Sequence, residues 1–218
     1  MRTIKTVFRK SVLAVVAFGI ASASSTFAAT IYDNTTIDTL QTYVYSAGAY
    51  TQIGDSITLG GTARTLTDAS VQFFNLATAG TFSATLRFFN PAAPVGTQIG
   101  SSFVANGLSI SGQDILTVTF SGLNLLVPNN LVFTVAISNV TGGADLGLNA
   151  FQPPLTGSSN NAQIITSTDN VNFLAESTLV GQGNLYLQLN ASDVPEPATV
   201  TLAGGSIVAL LILRKRHQ

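Results

Sequence analysis

The middle of the chain alternates between apolar and polar positions. In "TFSATLRFF", Phe82, Ala84, Leu86 and Phe88 fall on one side, and Ser83, Thr85 and Arg87 on the other. "DILTVTF" sets Leu116, Val118 and Phe120 on one face. "NLVFTVAIS" does so with Leu131, Phe133, Val135 and Ile137, and "NLYLQLN" with Leu185, Leu187 and Leu189. A period of two with one polar face predicts antiparallel strands, packed on one side and wet on the other. Between the strands lie turn signals such as "NPAAPVG", "PNN", "TGG" and "QPPLTG". "GDSITLGGTARTLTDASVQFFN" passes from one strand through a Gly-rich turn into another. No stretch between residues 30 and 193 has helical periodicity. The prediction is an all-β domain, an antiparallel β-sandwich of jelly-roll type.

The two ends carry unbroken apolar runs instead. "MRTIKTVFRK" holds Arg2, Lys5, Arg9 and Lys10 and no acid. Apolar residues follow from Val12 to Ala21, then the small-residue stretch "SASSTFAAT". Basic head, apolar centre and small-residue cut site are the three parts of a secretory signal peptide. Its centre of about ten residues is too short to span a bilayer. A cut between Ala28 and Ala29, with Thr26 three residues before it, fits the need for small side chains; a cut after Ser25 is the alternative.

At the other end, Ala198 to Leu213 makes an apolar run of 16 residues. As a helix it would be about 24 Å long at 1.5 Å per residue. A bilayer core of about 30 Å accepts it with some thinning or snorkelling. A core helix of a soluble domain keeps a polar face, and from Ile207 to Leu213 this run has none. Arg214, Lys215 and Arg216 follow and predict a cytoplasmic C-terminus by the positive-inside rule. Pro197 suits the first helical turn, where its missing N–H costs nothing. Glu196 suits the positive helix end. Two prolines keep the preceding chain extended, a form that an enzyme acting on extended peptides can bind.

Composition narrows the middle further. Residues 29–193 contain two cations, Arg64 and Arg87, against nine carboxyl residues, a net charge of −7. That balance argues against nucleic acid, whose binding rests on neutralised phosphates. There is no cysteine, so neither disulfide staples nor thiol chemistry arise. The one histidine, His217, lies in the tail. A Ser-His-Asp or Cys-His relay has no members here, nor does an imidazole or thiolate zinc site. Carboxylate-pair chemistry is the one hydrolytic class left, and a non-enzymatic domain is the expectation. Arg64 and Arg87 fit carboxylate pairing or a sheet surface.

Two ligand classes have candidates. Calcium wants clustered oxygens, offered by Asp169, Asn170 and Asn172 in "TDNVN" and by Asp33, Asn34 and Asp38 in "DNTTID". Neither stretch matches an EF-hand loop, and turn chemistry also explains these residue types. Sugars stack on aromatic faces, and "TYVYSAGAY" offers Tyr43 and Tyr45 on one strand face, with Tyr50 after a glycine turn. Semi-buried strand tyrosines look the same in sequence. Asn34, Asn139 and Asn190 open Asn-X-Ser/Thr triplets, read here as incidental to a Thr- and Asn-rich β-protein.

The C-terminal segment resembles the PEP-CTERM sorting signal of bacterial exported proteins. The resemblance rests on Val194, Pro195, Glu196 and Pro197, the short helix with Gly204 and Gly205, and the closing "RKR". It covers about 25 residues and is specific because the elements occur in order behind a signal peptide. It implies export by the Sec translocase, cleavage by signal peptidase, a transient inner-membrane anchor, and processing near the Pro-Glu-Pro by an exosortase in a Gram-negative bacterium. It further implies a place at the cell surface or in an extracellular matrix, with exopolysaccharide as a candidate partner. Strand order and turn composition over residues 31–190 are loosely similar to the exported β-sandwich domains of the choice-of-anchor group, which brings no catalytic residues. The expected division is 1–28 signal peptide, 29–193 β-sandwich and 194–218 sorting and anchor segment, in a structural or adhesive matrix protein. A carbohydrate- or calcium-binding module is the alternative.

Overall fold

The computed structural model describes residues 28–45, 50–92, 95–160, 163–177 and 184–193. The signal segment, the sorting motif Val194–Pro197, the apolar C-terminal run and Arg214, Lys215 and Arg216 lie outside the described residues, as do the two terminal helices expected from them. Among the described residues there is no helix. Strands follow one another as β1 (Ala29–Asn34), β2 (Asp38–Val44), β3 (Gln52–Thr58), β4 (Thr65–Asn75), β5 (Gly80–Phe89), β6 (Gln98–Ile110) and β7 (Ile115–Leu126). They continue as β8 (Asn130–Ser138), β9 (Leu146–Phe151), β10 (Ser158–Ser159), β11 (Gln163–Ser167), β12 (Phe173–Ser177), β13 (Asn184–Leu185) and β14 (Leu187–Ser192).

The described strands form two antiparallel sheets. Sheet A holds β1, β14, β4, β9 and β13 in that order, with β2 on β9 and β7 on β4. Sheet B runs β12, β11, β3, β8, β5, β6, with β10 also on β3. The apolar faces expected from alternation meet between the sheets. From sheet B come Phe82, Leu86, Phe88, Leu131, Phe133 and Val135; from sheet A come Phe73, Val118, Phe120, Leu185, Leu187 and Leu189, all in one cluster. Phe73 and Phe82 meet across it edge to face, centroids 5.0 Å apart. Each such side chain, once fully buried, contributes roughly 1.5–3 kcal/mol to the fold.

The expected wet face fails at β8. Leu131 to Ala136 are buried without a break, so this central strand is covered on both sides. A second small core explains it: on the outer face of sheet B, Phe89, Val132 and Ile165 pack together under Val95 and Phe173. Gly54 belongs to the same crowding, because a Cβ there would collide with the Phe133 carbonyl oxygen on the neighbouring strand.

β4 sets the geometry of sheet A. Its 11 residues extend for about 37 Å at 3.4 Å per residue, nearly twice the length of the six-residue β9 and β14. One long strand thus serves two short partners on the same side. Leu187 to Ser192 pair with Val71 to Thr65, and Leu146 to Leu148 with Asn75 to Phe73. The sheet forks between Val71 and Phe73, at Gln72.

Candidate functional site

The outer face of sheet A follows from the same alternation that builds the core. Wherever Leu185, Leu187 and Leu189 turn inward, Tyr186, Gln188 and Asn190 turn outward. Register carries their neighbours alongside in lateral rows. Thr30, Asn190, Asp68 and Ser121 form one row across β1, β14, β4 and β7. Asp33, Gln188, Ser70 and Thr119 form the next.

Hydrogen bonds knit these rows. Asn190 Nδ2 donates to Asp68 Oδ1 at 2.6 Å, and Thr30 Oγ1 donates to Asn190 Oδ1 at 2.8 Å. The hydroxyls of Ser70 and Thr119 share a bond of 2.8 Å. At the fork, Asn149 Nδ2 donates to Gln72 Oε1 at 2.8 Å, and Gln72 Nε2 reaches Thr117 Oγ1 at 3.4 Å. The Tyr186 backbone N–H donates to the Asn149 carbonyl at 2.9 Å, which seats its side chain beside this chain of amides. Its phenol also bonds Thr117, and its ring meets Phe151 edge to face at 5.0 Å. Partial burial, then the nearby Asp33 carboxylate, raise the Tyr186 pKa, so the ring is a neutral phenol at ordinary pH. Tyr186 remains half-exposed.

Four residues along β7 from Thr117, the ladder breaks. The β4–β7 register shifts between Leu66 and Asp68, and Gly122 and Asn124 take left-handed φ values of 70° and 45°. This bulge opens a notch of about 360 Å³ beside Asp68, Ser121, Asn124 and Ser192. The outer face of sheet A therefore offers hydroxyls, amides, two carboxyls and one half-exposed aromatic, ending in a notch.

The sequence-derived candidates fare differently. Tyr45 is buried, and its hydroxyl donates to the Val135 carbonyl of sheet B at 2.6 Å, so it cannot serve as a sugar platform. Tyr43 shares its inward face, packed against the core. Tyr50 also packs against the core and commits its hydroxyl to Glu176 Oε2, donating at 2.9 Å; that bond, more than burial, raises its pKa. All three tyrosines are thus turned to the core, Tyr45 fully buried and Tyr43 and Tyr50 partly so. Tyr186 is not among the residues picked out by the sequence, but the alternation of "NLYLQLN" that buries Leu185 and Leu187 also turns it outward.

Asp169 heads a tight turn. Its Oδ1 accepts the N–H groups of Val171 and Asn172 at 2.9 and 2.7 Å, and its Oδ2 accepts Asn172 Nδ2 at 2.6 Å. Those bonds, from Asn172 first, hold the carboxyl down at about 2. Asn170 Oδ1 instead accepts Gln52 Nε2 at 2.8 Å, and Gln52 in turn accepts the Thr134 hydroxyl at 2.6 Å. Among the described residues, no three His, Cys, Asp or Glu side chains gather as metal ligands. Asp33 and Asp38 accept separately, from Thr35 Oγ1 and the Leu40 N–H at 2.7 Å each. Asn34 is buried, with Nδ2 directed at the carbonyls of Phe151, Asn184 and Leu185, so its sequon is inaccessible to a modifying enzyme.

Asp55 is the chemically unusual residue that alternation alone could not flag. It sits between Ile53 and Ile57 on the inward face of β3, 1 % exposed. Its Oδ1 accepts the Ser56 N–H at 2.7 Å, the Leu185 N–H also points to the carboxyl, and Oδ2 has no hydrogen-bond partner among the described residues. Burial raises its pKa well above the carboxylate range. Its enclosure keeps it from any substrate and gives it a structural part. Asn34 Nδ2 donates to the carbonyls of Asn184 and Leu185. Asp55 and Asn34 thus both hold β13 through its backbone.

Arg64 pairs with backbone: its guanidinium donates to the carbonyls of Gly60, Gly61 and Ala63, and to Asn129 Oδ1. Arg87 Nε donates to Ser102 Oγ at 3.0 Å across the β5–β6 pair. Ala28 is exposed, and β1 begins at Ala29, whose partner is Ala191. A scan of protein-family models matched none, and searches of curated proteins and of solved structures returned no match.

Proposed function

We propose that this chain is an exported, non-enzymatic surface or matrix protein, whose jelly-roll-like β-sandwich is delivered by two terminal sorting segments. The Sec translocase exports it, and signal peptidase cuts between Ala28 and Ala29. The helix of residues 198–213 holds it briefly in the inner membrane, with Arg214, Lys215 and Arg216 on the cytoplasmic side. An exosortase then acts near Val194–Pro197, and the released domain takes a structural or adhesive place outside the cell.

One observation supports this reading above the others. Among the described residues, the first strand begins at Ala29 and the last ends at Ser192, and the two are joined through Ala29 pairing with Ala191 across β1 and β14. Both proposed cuts therefore fall just outside one hydrogen-bonded strand pair, and neither removes a described strand. The lack of any histidine or cysteine between residues 29 and 193 supports the non-enzymatic part.

Intact mass of the protein isolated from its native host tests the proposal. The expected product begins at Ala29 and ends close to Pro195–Pro197. A steady-state product that keeps residues 198–218 in a strain with an active exosortase overturns it.

A further inference from the structure

The two outer faces of the fold are treated differently. On the outer face of sheet B, the loop residue Val95 and the strand residue Phe173 pack against Phe89, Val132 and Ile165, and the turn that carries Asn170 bonds Gln52. Among the described residues, sheet A carries no such cover over its central rows: Thr117, Thr119 and Ser121 are exposed, and Asp68, Ser70, Gln72, Tyr186 and Gln188 half-exposed. What this face could hold is limited by its chemistry. It bears no cation, because Arg64 is spent on loop carbonyls and Arg87 lies on sheet B. Asp33 and Asp68 add negative charge within a domain of net charge −7, which opposes phosphate, sulfate or uronate groups. The rows from Thr117 to Ser121 present no large aliphatic side chain, so an apolar partner finds little to bury against.

What remains is a neutral partner rich in hydroxyl groups. A sugar hydroxyl donates and accepts at once, which suits a surface of amides, hydroxyls and carboxyls. The C–H face of a pyranose ring packs on an aromatic, and Tyr186 offers a half-exposed one that is bonded in place by Thr117 and flanked by Phe151. From Thr117 to the notch at Ser121 is four residues along β7, about 14 Å at 3.4 Å per residue. That track accommodates several linked sugars.

We propose that the outer face of sheet A binds a neutral polysaccharide chain, with Tyr186 as its stacking platform, Gln72 and Gln188 as hydrogen-bonding groups, and the Asp68–Ser121 notch as the end of the track. The proposal goes beyond export and processing, and holds whichever route brings the protein outside the cell.

The test is native gel electrophoresis of the full-length chain in a polyoxyethylene detergent, through gels that contain hydroxyethylcellulose, galactomannan or alginate, against a gel without polymer. Retardation by at least one of the two neutral polymers and none by alginate is the expected result. Tyr186→Ala weakens the retardation about fivefold, the scale of one lost aromatic contact. Tyr186→Phe keeps the ring and stays within about twofold, because one exposed-face hydroxyl bond is at stake. Thr117→Lys, on an exposed position that no core packing uses, blocks the track and abolishes retardation even if Tyr186→Ala should fold poorly. Arg87→Ala, on the other sheet, binds like the wild type. Retardation by alginate alone, by none of the polymers, or equally in wild type and Thr117→Lys overturns the proposal, as does a loss in Arg87→Ala matching that in Tyr186→Ala. The intact-mass measurement on the sorting segments is unaffected by any of these outcomes, so failure of one reading is separable from failure of the other.

Discussion

The hydroxyl of Tyr45, the residue just after β2 of sheet A, donates to the carbonyl of Val135 in β8 of sheet B at 2.6 Å. It is a polar tie through the interior, and it joins the two sheets directly. Tyr45 has no other role open to it, since it is buried. Burial also raises its pKa, so it keeps the proton it donates throughout the stable range of the protein. Tyr45→Phe keeps the ring and removes the tie. Expected is a loss of about 1–2 kcal/mol in urea unfolding, the value of a buried hydrogen bond whose acceptor is left short. Tyr45→Ala adds a cavity and should cost about 3–5 kcal/mol. Equal stability of wild type and Tyr45→Phe would show that the bond contributes nothing net.

Asp55 predicts a pH dependence of the opposite sense to that of most carboxyl residues. Its folded pKa is raised well above the unfolded value of 3.8, so the native state holds the proton more tightly than the unfolded chain does. The stability it contributes is complete below pH 3.8 and is lost as pH rises towards the folded pKa. Between those limits the slope is about −1.4 kcal/mol per pH unit from this one group. Asp55→Asn keeps the shape, still accepts the Ser56 and Leu185 N–H groups, and has no charge to bury. The variant should be more stable than the wild type at neutral pH and lack this slope. Denaturant midpoints measured from pH 4 to 8 for both proteins check it; parallel curves would mean that Asp55 is not buried as an acid.

The legible and illegible parts of this fold divide along physical lines. Inward faces were readable because alternation in strands such as Thr81 to Phe89 is imposed by the pleat, whatever the partner strand. The double-sided burial of β8 was not, because Val132 is covered by Phe89, Ile165 and Phe173 from distant segments. Nor was the fork of sheet A, which depends on β4 outlasting two partners separated in sequence by more than thirty residues. The candidate face inherits both properties. Its members Tyr186, Gln188, Ser70 and Thr119 were each visible as the polar half of an alternating strand. Their assembly into rows required the register. Tyr43 and Tyr45 drew attention as a cluster of aromatics, yet they share the inward face, where an aromatic ring packs and a ligand has no access.

Asp169 gives the last prediction, and it carries the opposite sign from Asp55. Backbone N–H groups of Asn172 and Val171 and the Asn172 amide favour its charged form, so its folded pKa lies at about 2, below the unfolded 3.8. Its contribution to the fold is present above pH 3.8 and is lost as pH falls through about 2. Carbon-detected NMR of the side-chain carboxyl should titrate near that lower value; a midpoint near 4 would mean that the turn is not closed in solution. The same resonance decides the calcium question. Both Asp169 oxygens already accept protein donors, and Asn170 Oδ1 accepts Gln52. A metal ion would have to displace these bonds, so the expected outcome is no shift on adding calcium to about the millimolar levels of weak extracellular sites. A saturable shift at one equivalent would instead make this turn a calcium site, built by opening the Asn172 contacts.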